Sequence, residues 1–211
     1  MKRHLLLIAL ALVAFSCKRP AENYIIPVDY AQFYAEMNAS DEMQSQEIGM
    51  KLNEAFFRNT VGKEIPDIKV TDMNGQSLRL KNILETETII IFSAHNSSLG
   101  KTDVETDFPA IIRSLSEEIE GISVVCLIEN SKDYDQKIIE DYAWKLQAEY
   151  SKIYYIDTQD AAKMNLITCP TKLYINKKQI VADLQMGVVP DPTAREQLII
   201  NGINAMLKEK I

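Results

Sequence analysis

The chain has 211 residues, 46% of them hydrophobic and 25% charged, with only seven glycines and seven prolines, the balance of an ordinary globular domain. Lys and Arg total 23 against 30 Asp and Glu, a formal charge of -7, which disfavours a nucleic-acid partner because few side chains are left to neutralise phosphates. Three cysteines are too few for a disulfide scaffold.

The first residues form an export signal. Lys2, Arg3 and His4 precede an apolar run from Leu5 to Phe15, too short to span a bilayer as a helix. The ending Val13-Ala14-Phe15-Ser16-Cys17 resembles the lipobox of bacterial lipoproteins. That resemblance implies cleavage after residue 16, lipidation of Cys17, and a lipid-anchored protein of the bacterial cell envelope, at the outer membrane on its periplasmic or surface face. Ordinary signal cleavage with a free Cys17 is the alternative, but no Ala-x-Ala site lies nearby. Loss of Lys2 and Arg3 with the leader takes the basic residues from 23 to 21 against 30 acidic ones, so the mature charge is -9. Anionic lipid repels such a body, and acyl chains rather than a basic patch would hold it to the membrane.

Residues 17–28 read as a lipidated tether, with two prolines and no periodicity, and Tyr24, Ile25 and Ile26 offer apolar side chains to dock on the folded body. Residues 29–60 read as an N-terminal helical segment of two helices, the second starting at Ser40-Asp41 with Met43, Ile48, Leu52, Ala55 and Phe56 at helical spacing. In the remainder, 61–211, Asn74-Gly75 lies between two alternating stretches and predicts a hairpin. The runs Thr88-Ile89-Ile90-Ile91-Phe92 and Ile122 to Ile128 have the continuous apolar character of strands buried on both faces. Between them, Thr102 and Glu105 make a capping-box pattern for a helix to about Glu120, which Pro109 should kink. A helix over Tyr134 to Tyr150, a strand over Ile153 to Ile156, a short helical piece, a hairpin of Thr171 to Ile175 with Ile180 to Met186, and a last helix over Thr193 to Lys210 complete the reading.

This order, with Gly62 to Asp67, the Asn74-Gly75 hairpin, Ile90 to Ala94, Phe108-Pro109 and Cys169-Pro170-Thr171-Lys172-Leu173-Tyr174-Ile175, resembles the extracytoplasmic TlpA-type branch of the thioredoxin superfamily. The resemblance implies an α/β thioredoxin-like fold: a central mixed β-sheet flanked by helices, with an N-terminal β-hairpin and an extra N-terminal helical segment. It also implies that Pro170 is the cis-proline opening the last hairpin.

The dithiol chemistry of that family needs Cys-x-x-Cys at the start of the kinked helix, where the helix terminus lowers the attacking thiol's pKa. Counting from Phe92, the two positions fall on Ser97 and Gly100; counting back from Pro109, they fall on Lys101 and Val104. Neither register holds a cysteine. A serine hydroxyl needs an activating base, and His95, two residues from Ser97, is badly placed to be one, so Ser97 and Ser98 read as loop or capping residues.

Cys126 and Cys169 stand two strands apart in such a sheet, about 9.6 Å, beyond the roughly 7 Å a disulfide tolerates between Cα atoms. Cys126 reads as a small buried hydrophobe. The expected function is partner binding without dithiol activity. A cleft of His95, Asn96, Ser97, Ser98, Cys169 and Pro170 would hold an extended peptide or protein of the envelope, with no cofactor or metal. The alternative is a monothiol oxidoreductase or peroxide-reactive protein acting through Cys169. A metal site there would have Cys169 and His95 with Asp103 or Glu105, short of a convincing ligand set. A scaffold role through the N-terminal helices is equally compatible with the sequence.

Overall fold

The computed structural model describes residues 23–93, 105–118, 121–130, 136–146, 151–167 and 170–208. Its N-terminal part holds α1 (Tyr30–Asn38) and α2 (Glu42–Thr60), capped by Asp29 and Asp41, whose carboxylates accept from the Gln32 and Gln44 amides. Both helices thus begin where a side chain satisfies an orphan amide. In α2, Leu52, Ala55 and Phe56 face inward, whereas Met43, Met50 and Phe57, seven residues apart, are exposed.

The strands are β1 (Lys69–Asp72), β2 (Ser77–Arg79), β3 (Thr88–Ser93), β4 (Ser123–Glu129), β5 (Ser151–Ile156), β6 (Thr171–Ile175) and β7 (Val181–Met186). They form one sheet in the order β2-β1-β5-β4-β3-β6-β7. The pairs β3–β4 and β4–β5 are parallel and the others antiparallel. The helices are α3 (Leu80–Ile83) after β2, α4 (Asp107–Glu118), α5 (Gln136–Lys145), α6 (Thr158–Lys163) and α7 (Pro192–Leu207).

Alternation along the central strands makes two cores. Ile90, Phe92, Val125, Leu127, Tyr154, Ile156 and Leu173 pack with Phe56 of α2 and Ala161 of α6. Ile89, Ile91, Val124, Cys126, Ile128, Tyr155 and Tyr174 pack with Ile111 of α4, Ala143 of α5 and Ile203 of α7. The continuous apolar runs of β3 and β4 follow from this, since both faces are covered. Cys126 is fully buried, as expected.

Three details refine the sequence expectations. The helix after β3 is interrupted at Thr106 and resumes at Asp107, in the turn before Pro109, where a proline's ring and missing N–H disturb the helix. The hairpin loop has three residues, Met73 to Gly75: the Gly75 amide donates to the Asp72 carbonyl, and Gly75 takes φ +84°. Helix α5 ends at Lys145, with the Leu146 amide turning back to the Ala143 carbonyl. Thr102 lies outside the described residues, as do residues 1–22, Cys17 among them.

Residues 23–28 are packed on the body. Tyr24 bridges to Glu64, Ile25 is buried, and the Ile26 amide donates to the Asn59 carbonyl at 3.0 Å.

Candidate binding cleft

Strand β3 ends beside the start of β6, with Phe92 opposite Thr171, so the end of the one and the start of the other share one end of the sheet. Beyond the carboxyl ends of parallel strands is where α/β sheets bind ligands. Pro170 is buried there, and its carbonyl accepts from the Gly187 amide at 2.8 Å, closing the open end of the β6–β7 hairpin. Gly187 has φ +77°, a left-handed conformation that glycine takes without steric cost. Of the residues expected to line a cleft, Pro170 is therefore placed at the sheet end; His95, Asn96, Ser97, Ser98 and Cys169 lie outside the described residues.

The register also sets the distance from Cys126. It stands opposite Ile91, and Ile91 stands opposite Lys172, so Cys126 is two strands away from a position just past Pro170. Among the described residues no three His, Cys, Asp or Glu converge on one point as metal ligands.

Sequence reasoning missed the charges behind the cleft. Lys172 has the parity of Tyr174 and so points under α4 and α7, into a face otherwise lined by Ile89, Ile91 and Ile203. Its side chain is 2% exposed, and Nζ donates to Asp107 Oδ2 at 2.6 Å. The other Asp107 oxygen lies 2.9 Å from Arg195 Nε as an ion pair, where Asp107 is 4% and Arg195 13% exposed, while the Nε hydrogen goes to the Val189 carbonyl at 3.0 Å. Arg195 Nη2 also donates to the Val189 carbonyl at 2.9 Å and the Pro190 carbonyl at 3.3 Å. One carboxylate from the first turn of α4, one lysine from β6 and one arginine from α7 thus tie three elements together. Such a cluster is stable only with its partners in place, because each buried charge depends on the others to offset lost hydration. A lysine inside an apolar strand, two residues from Tyr174 on the same face, was the signal available in the sequence.

Beside this cluster is a cavity of about 200 Å³, lined by Asp107, Lys172 and Arg195, by Gln185 and Gly187 of the hairpin end, and by apolar residues including Leu184, Met186 and Leu198. Gln185 forms a braced wall: Oε1 accepts from the Tyr174 hydroxyl at 3.0 Å and Nε2 donates to the Leu198 carbonyl.

No known family model matches the sequence, and no curated protein matches it either. Solved structures do resemble the fold. A candidate thiol:disulfide interchange protein of DsbE type from Chlorobium tepidum superposes with a TM-score of 0.54 at 16% identity, over 68% of this chain and 95% of its own. A candidate protein disulfide isomerase from Bacteroides thetaiotaomicron gives 0.52 at 16% identity, over 70% of this chain and 90% of its own. A thioredoxin-like protein from Bacteroides caccae gives 0.51 at 16% identity, over 80% of this chain and 60% of its own. Likeness at such identity speaks for architecture rather than chemistry, and together with the seven-stranded mixed sheet flanked by helices it shows that this chain has the thioredoxin-like fold.

Proposed function

We propose that the chain is an envelope-anchored lipoprotein of thioredoxin-like fold that performs no dithiol exchange and binds an extended peptide or protein partner at the cleft beside Pro170. The placement of its cysteines carries the reading. Of the three, Cys17 heads the tether after the export signal, Cys126 is buried within β4, and Cys169 immediately precedes Pro170, so the sequence contains no Cys-x-x-Cys. Dithiol exchange needs an attacking and a resolving thiol within bonding reach. What the fold keeps is a strand start beside the end of β3, where an extended chain is held through backbone hydrogen bonds.

The test uses the mature chain. It should reduce insulin no faster than background, while peptides in extended conformation should bind and lose affinity when Ser97→Trp crowds the loop. Insulin reduction that disappears in Cys169→Ser would replace this reading with the monothiol one, and failure of all peptides to bind would overturn the cleft. For the anchor, the wild-type protein should sediment with membranes and Cys17→Ala should not; identical distribution of the two would remove the lipoprotein assignment.

A further inference from the structure

The cavity beside Pro170 has a chemistry that narrows what the cleft accepts. At about 200 Å³ it is smaller than the roughly 300–1,000 Å³ of whole-ligand pockets, so its size suits a single side chain. Leu198 and Ile199 supply apolar wall for methylene groups. The charged lining consists of two cations and one carboxylate, and both Asp107 oxygens are already engaged by Lys172 and Arg195. Arg195 uses Nε and Nη2 on Asp107, Val189 and Pro190, while its Nη1 makes no hydrogen bond among the described residues, although the side chain is only 13% exposed. A carboxylate is the acceptor that such a guanidinium nitrogen takes best, through a charge-assisted bond.

We propose that this cavity is a specificity pocket for an acidic group of the partner, taking the carboxylate of a Glu or Asp side chain against Arg195 and its methylene carbons against Leu198 and Ile199. The pocket deepens the cleft reading above and rests on it. The bond between the Gly187 amide and the Pro170 carbonyl joins the two: Gly187 lines the cavity and Pro170 marks the cleft.

Nuclear magnetic resonance titration of the isotopically labelled mature chain tests it with three probes: N-acetyl-glutamic acid N-methylamide, its glutamine counterpart, and acetate. The acid should shift the Gly187 amide and Arg195 Nε resonances saturably, with a dissociation constant on the order of 1 mM, and the glutamine counterpart should bind at least about tenfold more weakly. Acetate, which lacks the methylene stem, should also bind more weakly. No shift at Gly187, or equal binding of acid and amide, overturns the pocket; acetate binding as tightly as the acid reassigns it to free small anions. Arg195→Gln should abolish the shifts. Because that change also disturbs Asp107, Leu198→Trp serves as a second variant, filling the cavity from a side chain that is 40% exposed while leaving the charges in place. If the acid binds but extended peptides do not, the cleft reading falls and the pocket stands; if peptides bind with Glu and Gln equally, the reverse holds.

Discussion

Asn165 Oδ1 accepts a hydrogen bond from the Val28 amide at 2.8 Å, joining the start of the body to the turn after α6 across 137 residues of sequence. The same side chain donates from Nδ2 to the Ile26 carbonyl at 3.1 Å and to the Thr60 hydroxyl at 2.8 Å, while its backbone is held at φ +57°. Asparagine tolerates that left-handed conformation better than most residues, and its amide serves all three partners at once.

Replacing it separates the two contributions. Asn165→Gly keeps the backbone comfortable and removes three hydrogen bonds, at about 1 kcal/mol each. Asn165→Ala loses the same bonds and adds about 1–2 kcal/mol of left-handed strain. In urea denaturation the alanine variant should be the less stable of the two; equal midpoints would mean that the backbone conformation relaxes. Both should expose residues 23–28 to proteolysis before the sheet unfolds.

The buried cluster predicts an asymmetry between single and double changes. Asp107→Asn leaves Lys172 and Arg195 buried without their shared carboxylate and should cost about 3–5 kcal/mol. Lys172→Met leaves Asp107 paired with Arg195 and fills the volume with an apolar chain of similar length, so it should cost less. The double variant Asp107→Asn, Lys172→Met should recover part of the loss, since only Arg195 then lacks its carboxylate. Denaturation of the three variants checks this; additive losses would show that Lys172 and Asp107 are not energetically coupled.

Sequence periodicity could show the strands that are buried on both faces and the helix that follows Asp41, because those patterns are local. Phe56 and Phe57 illustrate the limit: both are phenylalanines on α2, one fully buried and the other 51% exposed, and only the position of the sheet separates them. The cluster of Asp107, Lys172 and Arg195 could not be assembled from the sequence for a similar reason, although the lysine in an apolar strand was a sign of it. A charge in a strand reads as a solvent-facing position until its partners, from 65 residues earlier in the chain and from a later helix, are brought against it. Pro109 could be located, and the helix is interrupted in the turn before it, where its ring and missing N–H act. Of the cleft, the sequence located the sheet end at Pro170 but not the cavity, whose lining comes from α4, β6, β7 and α7 together.

Gly202 and Tyr174 predict a substitution whose effect runs against helix propensity. A Cβ at Gly202 would stand 2.5 Å from Cε2 and Cζ of the Tyr174 ring, which is fully buried and whose hydroxyl donates to Gln185. Gly to Ala inside a helix ordinarily gains about 1 kcal/mol. Here the ring must move, and overpacking of a core costs about 1–3 kcal/mol. Gly202→Ala should therefore lower the melting temperature, and adding Tyr174→Leu should return some of it. A higher melting temperature for Gly202→Ala alone would show that the ring and α7 can separate at little cost.

Asp183 gives stability a pH dependence of predictable sign. It stands opposite Tyr174 on β7, on the face covered by α7, and burial pushes its carboxyl above the ordinary 3.8, against the lowering effect of hydrogen bonds from the Leu184 amide and Gln185. An acid whose pKa is raised by folding binds its proton more tightly in the folded state. Its contribution is therefore fully favourable below the unfolded pKa and is lost as pH rises through the folded value. Asp183→Asn removes the ionisation while keeping an oxygen to accept from the Leu184 amide. The variant and the wild type should be equally stable below about pH 3, and the variant should become the more stable as pH rises past the folded pKa, with a constant advantage at neutral pH. Urea midpoints measured for both proteins across that range check the sign. An advantage for the variant that is the same at every pH would assign the effect to packing, and an advantage for the wild type at neutral pH would mean that the charged carboxylate is held by its hydrogen bonds more strongly than burial opposes it.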